Sequence, residues 1–168
     1  MRKIYLTLIF ALITLSGFSQ LIRVQSSKSI EVAQSFNQYG LFSSANFGYF
    51  FSNKFKLTSG FAYSRQNFEF TQLNKLAANI DVSTTIYSFK EKIFFDLLVG
   101  IQPGIEFSSN AILGKYNQFY IGEFAGIKAD YIILPYLSAG VAFKQHFVQL
   151  SKSTSAYWEG GLFVSYNF

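Results

Sequence analysis

Apolar and polar residues alternate with a period of two along most of the chain beyond residue 29. The clearest example is the carboxyl-terminal run YWEGGLFVSYNF, in which every second residue from Leu162 to Phe168 is apolar or aromatic. Such alternation is typical of a β-strand whose two faces meet different surroundings. No stretch after the amino-terminal segment shows the longer period of an amphipathic helix, so the pattern predicts an all-β protein.

The alternation predicts eight strands, at residues 30–36, 39–51, 55–64, 80–87, 93–102, 119–131, 137–146 and 157–168. Beyond the second strand, tight connections at 52–54, 89–92 and 132–135 alternate with longer ones at 66–79, 107–117 and 149–154. An even number of antiparallel strands, with short turns at one end and longer loops at the other, is typical of transmembrane barrels of the bacterial outer membrane. We therefore predict an eight-stranded antiparallel β-barrel of this kind.

The composition of the two rows favours a membrane barrel over a soluble sandwich or a lipocalin-like barrel. The outer row of a soluble sheet is rich in Lys, Glu and Thr, because it meets water. Here one row is apolar, with Glu123 as its exception, and the other is rich in Gly, Ser, Ala and Asn. Small residues suit the crowded interior of a narrow closed barrel. A bulge, or a position near the outer rim, would accommodate Glu123.

The amino terminus has the layout of a secretory signal peptide. Arg2 and Lys3 precede a short apolar run, and small residues stand before a cleavage point at Gln20. We predict a signal peptide at 1–19, a short lead at 20–28 and the barrel at 29–168, with export to the outer membrane. An uncleaved anchor is the alternative. Only 14% of the residues are charged, against about 25% in an average chain, and the absence of cysteine excludes disulfides and a lipoprotein-type anchor.

The sequence carries no motif for a cofactor, a metal or a nucleotide, and its basic residues are scattered, so no cofactor and no nucleic-acid partner is expected. We expect a protein that is not an enzyme. The alternative is a lipid-modifying enzyme acting at the rim through His146, the sole histidine.

Inward-facing charged residues are predicted to lie opposite one another. If the loop at 149–154 joins adjacent strands, Lys144 faces Glu159 and His146 faces Tyr157. Lys128 and Asp96 are matched in the same way on another pair of strands. Opposite charges that face each other inside a dry barrel neutralise each other, whereas an unpaired charge there is costly. We interpret these residues as an interior polar cluster.

The end of the chain resembles the carboxyl-terminal signal of bacterial outer-membrane proteins, in which a terminal Phe follows apolar residues at alternate positions. Leu162, Val164, Tyr166 and Phe168 match that pattern. The resemblance implies recognition by the barrel-assembly machinery, which joins the lipid of the outer membrane as an expected partner.

The segment FYIGEFAGIKADYIILPYLSAGVAFKQHFVQLSKSTSAYWEGGLFVSYNF, from Phe119 to Phe168, resembles the carboxyl-terminal half of the conjugal transfer protein TraO family of Bacteroidetes mobile elements. Met1 to Gln20 also resembles a Bacteroidetes export signal. The resemblance implies an outer-membrane subunit of a conjugation apparatus, with other conjugation proteins as partners and no catalytic residues. A generic porin-like small barrel is the alternative.

The longer loops are the candidate working surface, because an eight-stranded barrel is too narrow to conduct DNA or protein. Apolar residues in these loops suggest a surface that binds a partner, or one that packs only on itself. The candidates are Phe68, Phe70 and Leu73 in the first loop, and Ile112 and Leu113 in the second.

Overall fold

The computed structural model describes residues 23–68, 71–108, 116–151 and 155–168. They form antiparallel strands in the order β1-β2-β3-β4-β5-β6-β7-β8, closed into a barrel. The strands are β1 Lys28–Asn37, β2 Gly40–Phe50, β3 Phe55–Phe68, β4 Thr71–Phe89, β5 Ile93–Ser108, β6 Tyr116–Leu134, β7 Leu137–Gln149 and β8 Ala156–Asn167. The prediction of an all-β, eight-stranded antiparallel barrel is confirmed. The predicted signal peptide lies outside the described residues.

The barrel closes between its first and last strands. β1 pairs with β8 from Ser29↔Asn167 to Phe36↔Gly160. The backbone amide of Lys28 donates to the carbonyl of Phe168 at 2.8 Å, and the amide of Phe168 donates back to Lys28 at 2.9 Å. The last residue of the chain is therefore hydrogen-bonded to the first strand. Closure of this kind leaves the sheet without a free edge, which a barrel surrounded by lipid requires.

The strands on the loop side are longer than the alternation predicts. β3 and β4 stay paired as far as Phe68↔Thr71, so the predicted loop at 66–79 is wrong. Polar side chains on the outer face, such as Arg65 and Gln72, hide the alternation there although the backbone pairing continues. The loop predicted at 107–117 is shorter than expected, because β5 and β6 pair as far as Ser108↔Tyr116.

Leu73 is not an exposed loop residue. It lies within β4, opposite Gln66 of β3, and only 4% of its surface is exposed. Its position in the inward row explains the burial. Phe68 ends β3, whereas Phe70, Ile112 and Leu113 lie outside the described residues.

The two rows face different surroundings, as predicted. Phe61, Leu162 and Val99 point outward and are 70%, 67% and 61% exposed, whereas the inward Gln66 and Ser138 are fully buried. Glu123 does lie in the outward row, where its carboxylate accepts a 3.4 Å hydrogen bond from Gln149 near the loop end of β7. Within the described ranges, no helix is long and apolar enough to cross a membrane.

Glycines make room for the aromatic rings that fill the interior. A Cβ added at Gly100 would lie 2.5 Å from the ring of Phe124, directly opposite it on β6. The same close approach occurs where Gly104 faces Tyr120 and where Gly140 faces Phe163. A ring can lie across the neighbouring strand only where that strand has no side chain. The glycine-rich inner row is thus the counterpart of an aromatic filling.

Candidate functional site: a filled polar lumen between two rims

The middle of the lumen holds a buried group of charges. The Nζ atom of Lys128 donates to a carboxylate oxygen of Glu31, and the Nζ of Lys56 lies 3.7 Å from the same oxygen. Lys128 also lies 3.7 Å from the centre of the Phe163 ring. As predicted, Lys128 and Asp96 stand opposite each other in the register. However, the ion pair of Lys128 is with Glu31 of β1.

Asp96 is neutralised instead by Arg23, a residue of the lead before β1. The guanidinium donates to both carboxylate oxygens of Asp96, at 2.7 and 2.9 Å, and to Asp130 at 3.1 Å. It also donates to the hydroxyl of Thr85 at 2.7 Å and lies 4.1 Å from the centre of the Phe94 ring. Only 6% of Arg23 is exposed. Arg23 therefore lies across the end of the lumen where β1 begins and β8 ends, the terminus end of the barrel.

Sequence reasoning missed the role of Arg23, because the short lead at 20–28 has no alternating pattern that would place its residues. One signal was present: the inward residues Asp96 and Asp130 sit at the same end of β5 and β6, where Lys128 faces Asp96 but Asp130 faces no cation on either neighbouring strand. Two acidic residues with one strand cation leave a negative charge to be matched from elsewhere.

Glu159 is the centre of a second group of charges. The predicted alignments Lys144↔Glu159 and His146↔Tyr157 are confirmed. The shortest contacts of Glu159 are with other residues, however. The hydroxyl of Ser35 donates to it at 2.6 Å, and Nε2 of His146 lies 2.9 Å away, whereas Nζ of Lys144 lies 3.9 Å away.

His146 is not at the rim. Its ring stacks on Tyr157, with 4.5 Å between centroids, and packs against Phe124 at 5.2 Å. One per cent of the residue is exposed. A histidine enclosed in this way cannot reach a lipid outside the barrel, so the geometry does not support the rim enzyme. Among the described residues, no cluster of His, Cys, Asp or Glu could hold a metal ion.

A third group of charges lies nearer the loop end. Nζ of Lys75 is 2.6 Å from Glu106, and both side chains are almost completely buried. Ser151 also donates to Glu106 at 2.6 Å, and the ammonium of Lys75 lies 5.2 Å from the centre of the Tyr120 ring. The sequence did not indicate this pair, because Lys75 falls within the stretch assigned to a loop.

Side chains fill the described part of the lumen. The cavity in its centre measures about 30 Å³ and is lined by residues such as Glu31, Asn79 and Lys144. A cavity of that size holds about one or two water molecules. The buried charges therefore serve to neutralise one another, and the described lumen offers no path for a macromolecule.

Aromatic residues gather at both rims of the outer surface. At the terminus end, the exposed aromatic residues include Tyr49, Phe51, Phe55, Tyr131 and Phe168. At the loop end, Tyr63, Phe119, Phe143 and Phe147 are exposed, and Trp158 contacts Phe36 and Phe143. Tyr39 packs against the buried cluster instead. Two aromatic girdles around an apolar band are typical of membrane barrels.

Leu162, Val164, Tyr166 and Phe168, the residues that match the assembly signal, follow the outward face of β8 and its end. A closed barrel with an apolar outside, a polar filled inside and aromatic rims defines the class: a small transmembrane β-barrel of the outer-membrane type.

Solved structures share this fold. The N-terminal β-barrel domain of Pseudomonas aeruginosa OprF superposes with a TM-score of 0.67 at 16% identity, over 86% of this chain and 98% of that one. Ail, the attachment invasion locus protein of Yersinia pestis, superposes with a TM-score of 0.58 at 17% identity, over 86% of this chain and 100% of that one. Neisserial surface protein A superposes with a TM-score of 0.61 at 10% identity, over 84% of this chain and 93% of that one.

No family model matches the chain, and no curated protein sequence matches it. At identities this low, the three structural likenesses show the fold alone. They give no support to the resemblance to the TraO family.

Proposed function

We propose that this chain is a small outer-membrane barrel that works as a non-enzymatic structural or interaction protein. The observation that carries the proposal is the inversion of polarity: exposed apolar side chains outside, and buried ion pairs such as Lys75–Glu106 inside. Such an arrangement is favourable in lipid and unfavourable in water. Because the described lumen is filled, any partner must bind at a rim or on the outer surface.

The membrane placement is tested by purifying the protein in detergent and running it on a gel with and without boiling, beside a circular dichroism spectrum. A closed barrel resists detergent until boiled, so we expect two mobilities and a β-rich spectrum. Fractionation should place the chain in the outer membrane. A protein that stays soluble without detergent, or a helical spectrum, would overturn the proposal.

The finer proposal is a subunit of a conjugative transfer apparatus. It rests on the resemblance of residues 119–168 to the TraO family and on the reasoning that a filled barrel contributes surfaces rather than a conduit. The test is a clean deletion in a donor strain, complemented with the wild-type gene. Loss of transfer, restored by complementation, supports the proposal. Unchanged transfer leaves the generic small barrel in its place.

The loop surface is a separate proposal within this function. Leu73 is removed from it, because the residue is buried, and Phe68, Phe70, Ile112 and Leu113 remain. Replacing Phe68 and Phe70 together with Ser should lower transfer while leaving the heat-dependent gel mobility unchanged. Gln72→Ser in the same hairpin is the matched control. If the double variant transfers normally, these residues do not form the working surface.

A further inference from the structure

Four exposed lysines lie together on one side of the rim at the terminus end, and we call this part of the rim the lysine sector. Exposed lysines occupy the start of β1 and the turns β2–β3 and β4–β5: Lys28, Lys54, Lys90 and Lys92. The other half of the rim carries aromatic residues, with Tyr136 and Tyr166 in contact at 5.7 Å and Phe168 beside Tyr166 at 6.1 Å.

These lysines have no acidic partners in the described part of the chain. The ion pairs found there all involve inward-facing residues, and the two aspartates at this end, Asp96 and Asp130, are occupied by Arg23. Glu91 is exposed in the same turn as Lys90, and no ion pair joins the two side chains. With four lysines and one glutamate, the sector carries a net positive charge.

The turn β4–β5 holds Lys90 in an unfavourable backbone conformation. Lys90 and Glu91 both adopt the left-handed conformation, with φ of 50° and 53°, and the amide of Lys92 closes the turn onto Phe89 at 3.1 Å. Two successive left-handed residues in a tight hairpin favour Asn-Gly, because Gly has no Cβ to approach the carbonyl oxygen and Asn can hydrogen-bond locally. Strain that persists in a fold points to a function for the residue that carries it.

The lysines also lie at the level where a membrane surface would be. Phe51 and Phe55 stack beside Lys54 with 5.9 Å between ring centroids, and the ammonium of Lys90 lies 5.4 Å from the centre of the Phe89 ring. Aromatic rings mark the boundary between the acyl chains and the headgroups. An ammonium on a long stem at that level reaches the lipid phosphates.

We propose that the lysine sector binds the headgroups of anionic phospholipids in the leaflet at the terminus end of the barrel. This inference rests on the proposed membrane location. A lysine near an anionic surface strengthens association about fivefold, and salt weakens the effect. The partner is therefore a lipid with net negative charge, such as phosphatidylglycerol, in preference to zwitterionic phosphatidylcholine.

The test is the selectivity of the barrel for spin-labelled phosphatidylglycerol over phosphatidylcholine in phosphatidylcholine bilayers, measured by electron spin resonance. We expect wild type to prefer phosphatidylglycerol. In the Lys54→Gln/Lys90→Gln/Lys92→Gln variant, the selectivity for phosphatidylglycerol over phosphatidylcholine should fall by about threefold or more. The corresponding Lys→Arg variant should keep it. Arg65→Gln, which removes a charge near the loop end, should leave it unchanged.

The turn provides a second, independent reading. Glu91→Gly relieves part of the strain and removes the one negative charge of the sector, so it should raise both the urea midpoint in neutral detergent and the preference for phosphatidylglycerol. An embedded barrel with no preference in wild type, or an equal preference in the triple Gln variant, overturns the lipid proposal and leaves the membrane barrel intact. Failure of wild type to enter bilayers overturns both.

Discussion

Several charged side chains in the lumen make their shortest contacts with residues that do not lie directly opposite them in the register, although Lys75 and Glu106 are register partners. Glu159 shows this most clearly, because its strand neighbour Lys144 is the most distant of its polar contacts. The charge of a buried group is stabilised by whichever donors lie closest to it. Removing the carboxylate should therefore affect stability more than removing the lysine.

We predict that Glu159→Gln lowers the free energy of unfolding by about 2–3 kcal/mol, because the buried Ser35 hydroxyl and His146 ring lose their charged acceptor. Lys144→Met should lower it by about 1 kcal/mol or less, because its ammonium lies 3.9 Å from Glu159 and is partly exposed. Urea titration of both variants in detergent micelles measures the difference. Equal losses would mean that Lys144, and not His146 and Ser35, is the main partner of Glu159.

Two glycines give a matched pair of opposite predictions. Gly160 faces outward, and an added Cβ would meet Trp158 and Phe143 at ordinary contact distances of 3.8 and 3.9 Å. Gly160→Ala should therefore stabilise the barrel by about 0.4–1 kcal/mol through reduced freedom of the unfolded chain. At Gly140, an added Cβ would lie 2.0 Å from the carbonyl oxygen of Ala129 and 2.5 Å from the Phe163 ring.

Gly140→Ala should thus destabilise the barrel by about 1–3 kcal/mol, the cost of overpacking. The same urea titration compares the two alanine variants. A loss of stability at Gly160, or none at Gly140, would show that glycine in these strands serves backbone flexibility rather than ring packing.

At the scale of elements, the sequence predicts the strands well where one face is uniformly apolar. The alternation in Phe55–Tyr63 and in Leu137–Phe143 corresponds to β3 and β7. The pairing of Lys144 with Glu159, predicted from the position of the loop between their strands, is confirmed. The prediction ends where β3 and β4 carry polar residues on both faces beyond the apolar band. Periodicity reports a change of surroundings across the sheet, and it disappears when both faces are polar.

The candidate site was less predictable than the strands. The position of a loop indicates which residues face each other on the two strands that it joins. The pairing of Asp96 with Lys128 could therefore be predicted from the sequence. Contacts across the lumen, such as Lys128 with Glu31, depend on barrel closure and side-chain length, which a linear pattern does not contain. Arg23 was missed for a further reason, because a single residue before the first strand carries no periodicity.

The lead segment is predicted to act as a cap through Arg23. Arg23→Met leaves Asp96 and Asp130 buried without their cation and should cost about 3–5 kcal/mol of unfolding free energy. Arg23→Lys should cost less, because it keeps the charge but loses the two-pronged contact. Adding Asp96→Asn to Arg23→Met should recover part of the loss. If Arg23→Met unfolds like wild type, the end of the lumen is wet and the cap is not a stabilising element.

The final strand carries a prediction about assembly. Phe168 exchanges backbone hydrogen bonds with Lys28 and matches the signal of outer-membrane proteins. Deleting it should lower the amount of protein in the outer membrane and leave degradation products in the periplasm, as immunoblots of fractionated cells would show. Phe168→Tyr keeps the backbone and the aromatic ring and should behave as wild type. Normal levels after the deletion would exclude a signal role.

At the scale of the whole molecule, a charge-poor outer surface and a charge-rich interior form one arrangement. A closed sheet satisfies its own backbone, the apolar band contacts lipid, and the lumen neutralises its charges internally. Side chains fill the described lumen, so the function is expected at the rims. The conjugation role and the lipid-binding lysine sector are both proposals about those rims, and both depend on the outward row facing lipid.

Trp158 offers the most direct test of whether the outward row faces lipid, because it is the only tryptophan in the chain. It lies in the outward row of β8, against Phe36 and Phe143 near the loop end. In vesicles, its fluorescence should be blue-shifted, quenched strongly by lipids brominated high on the acyl chain, and protected from aqueous iodide. Strong quenching by iodide, with none by brominated lipid, would mean that the outward row meets water and would contradict a membrane-spanning barrel.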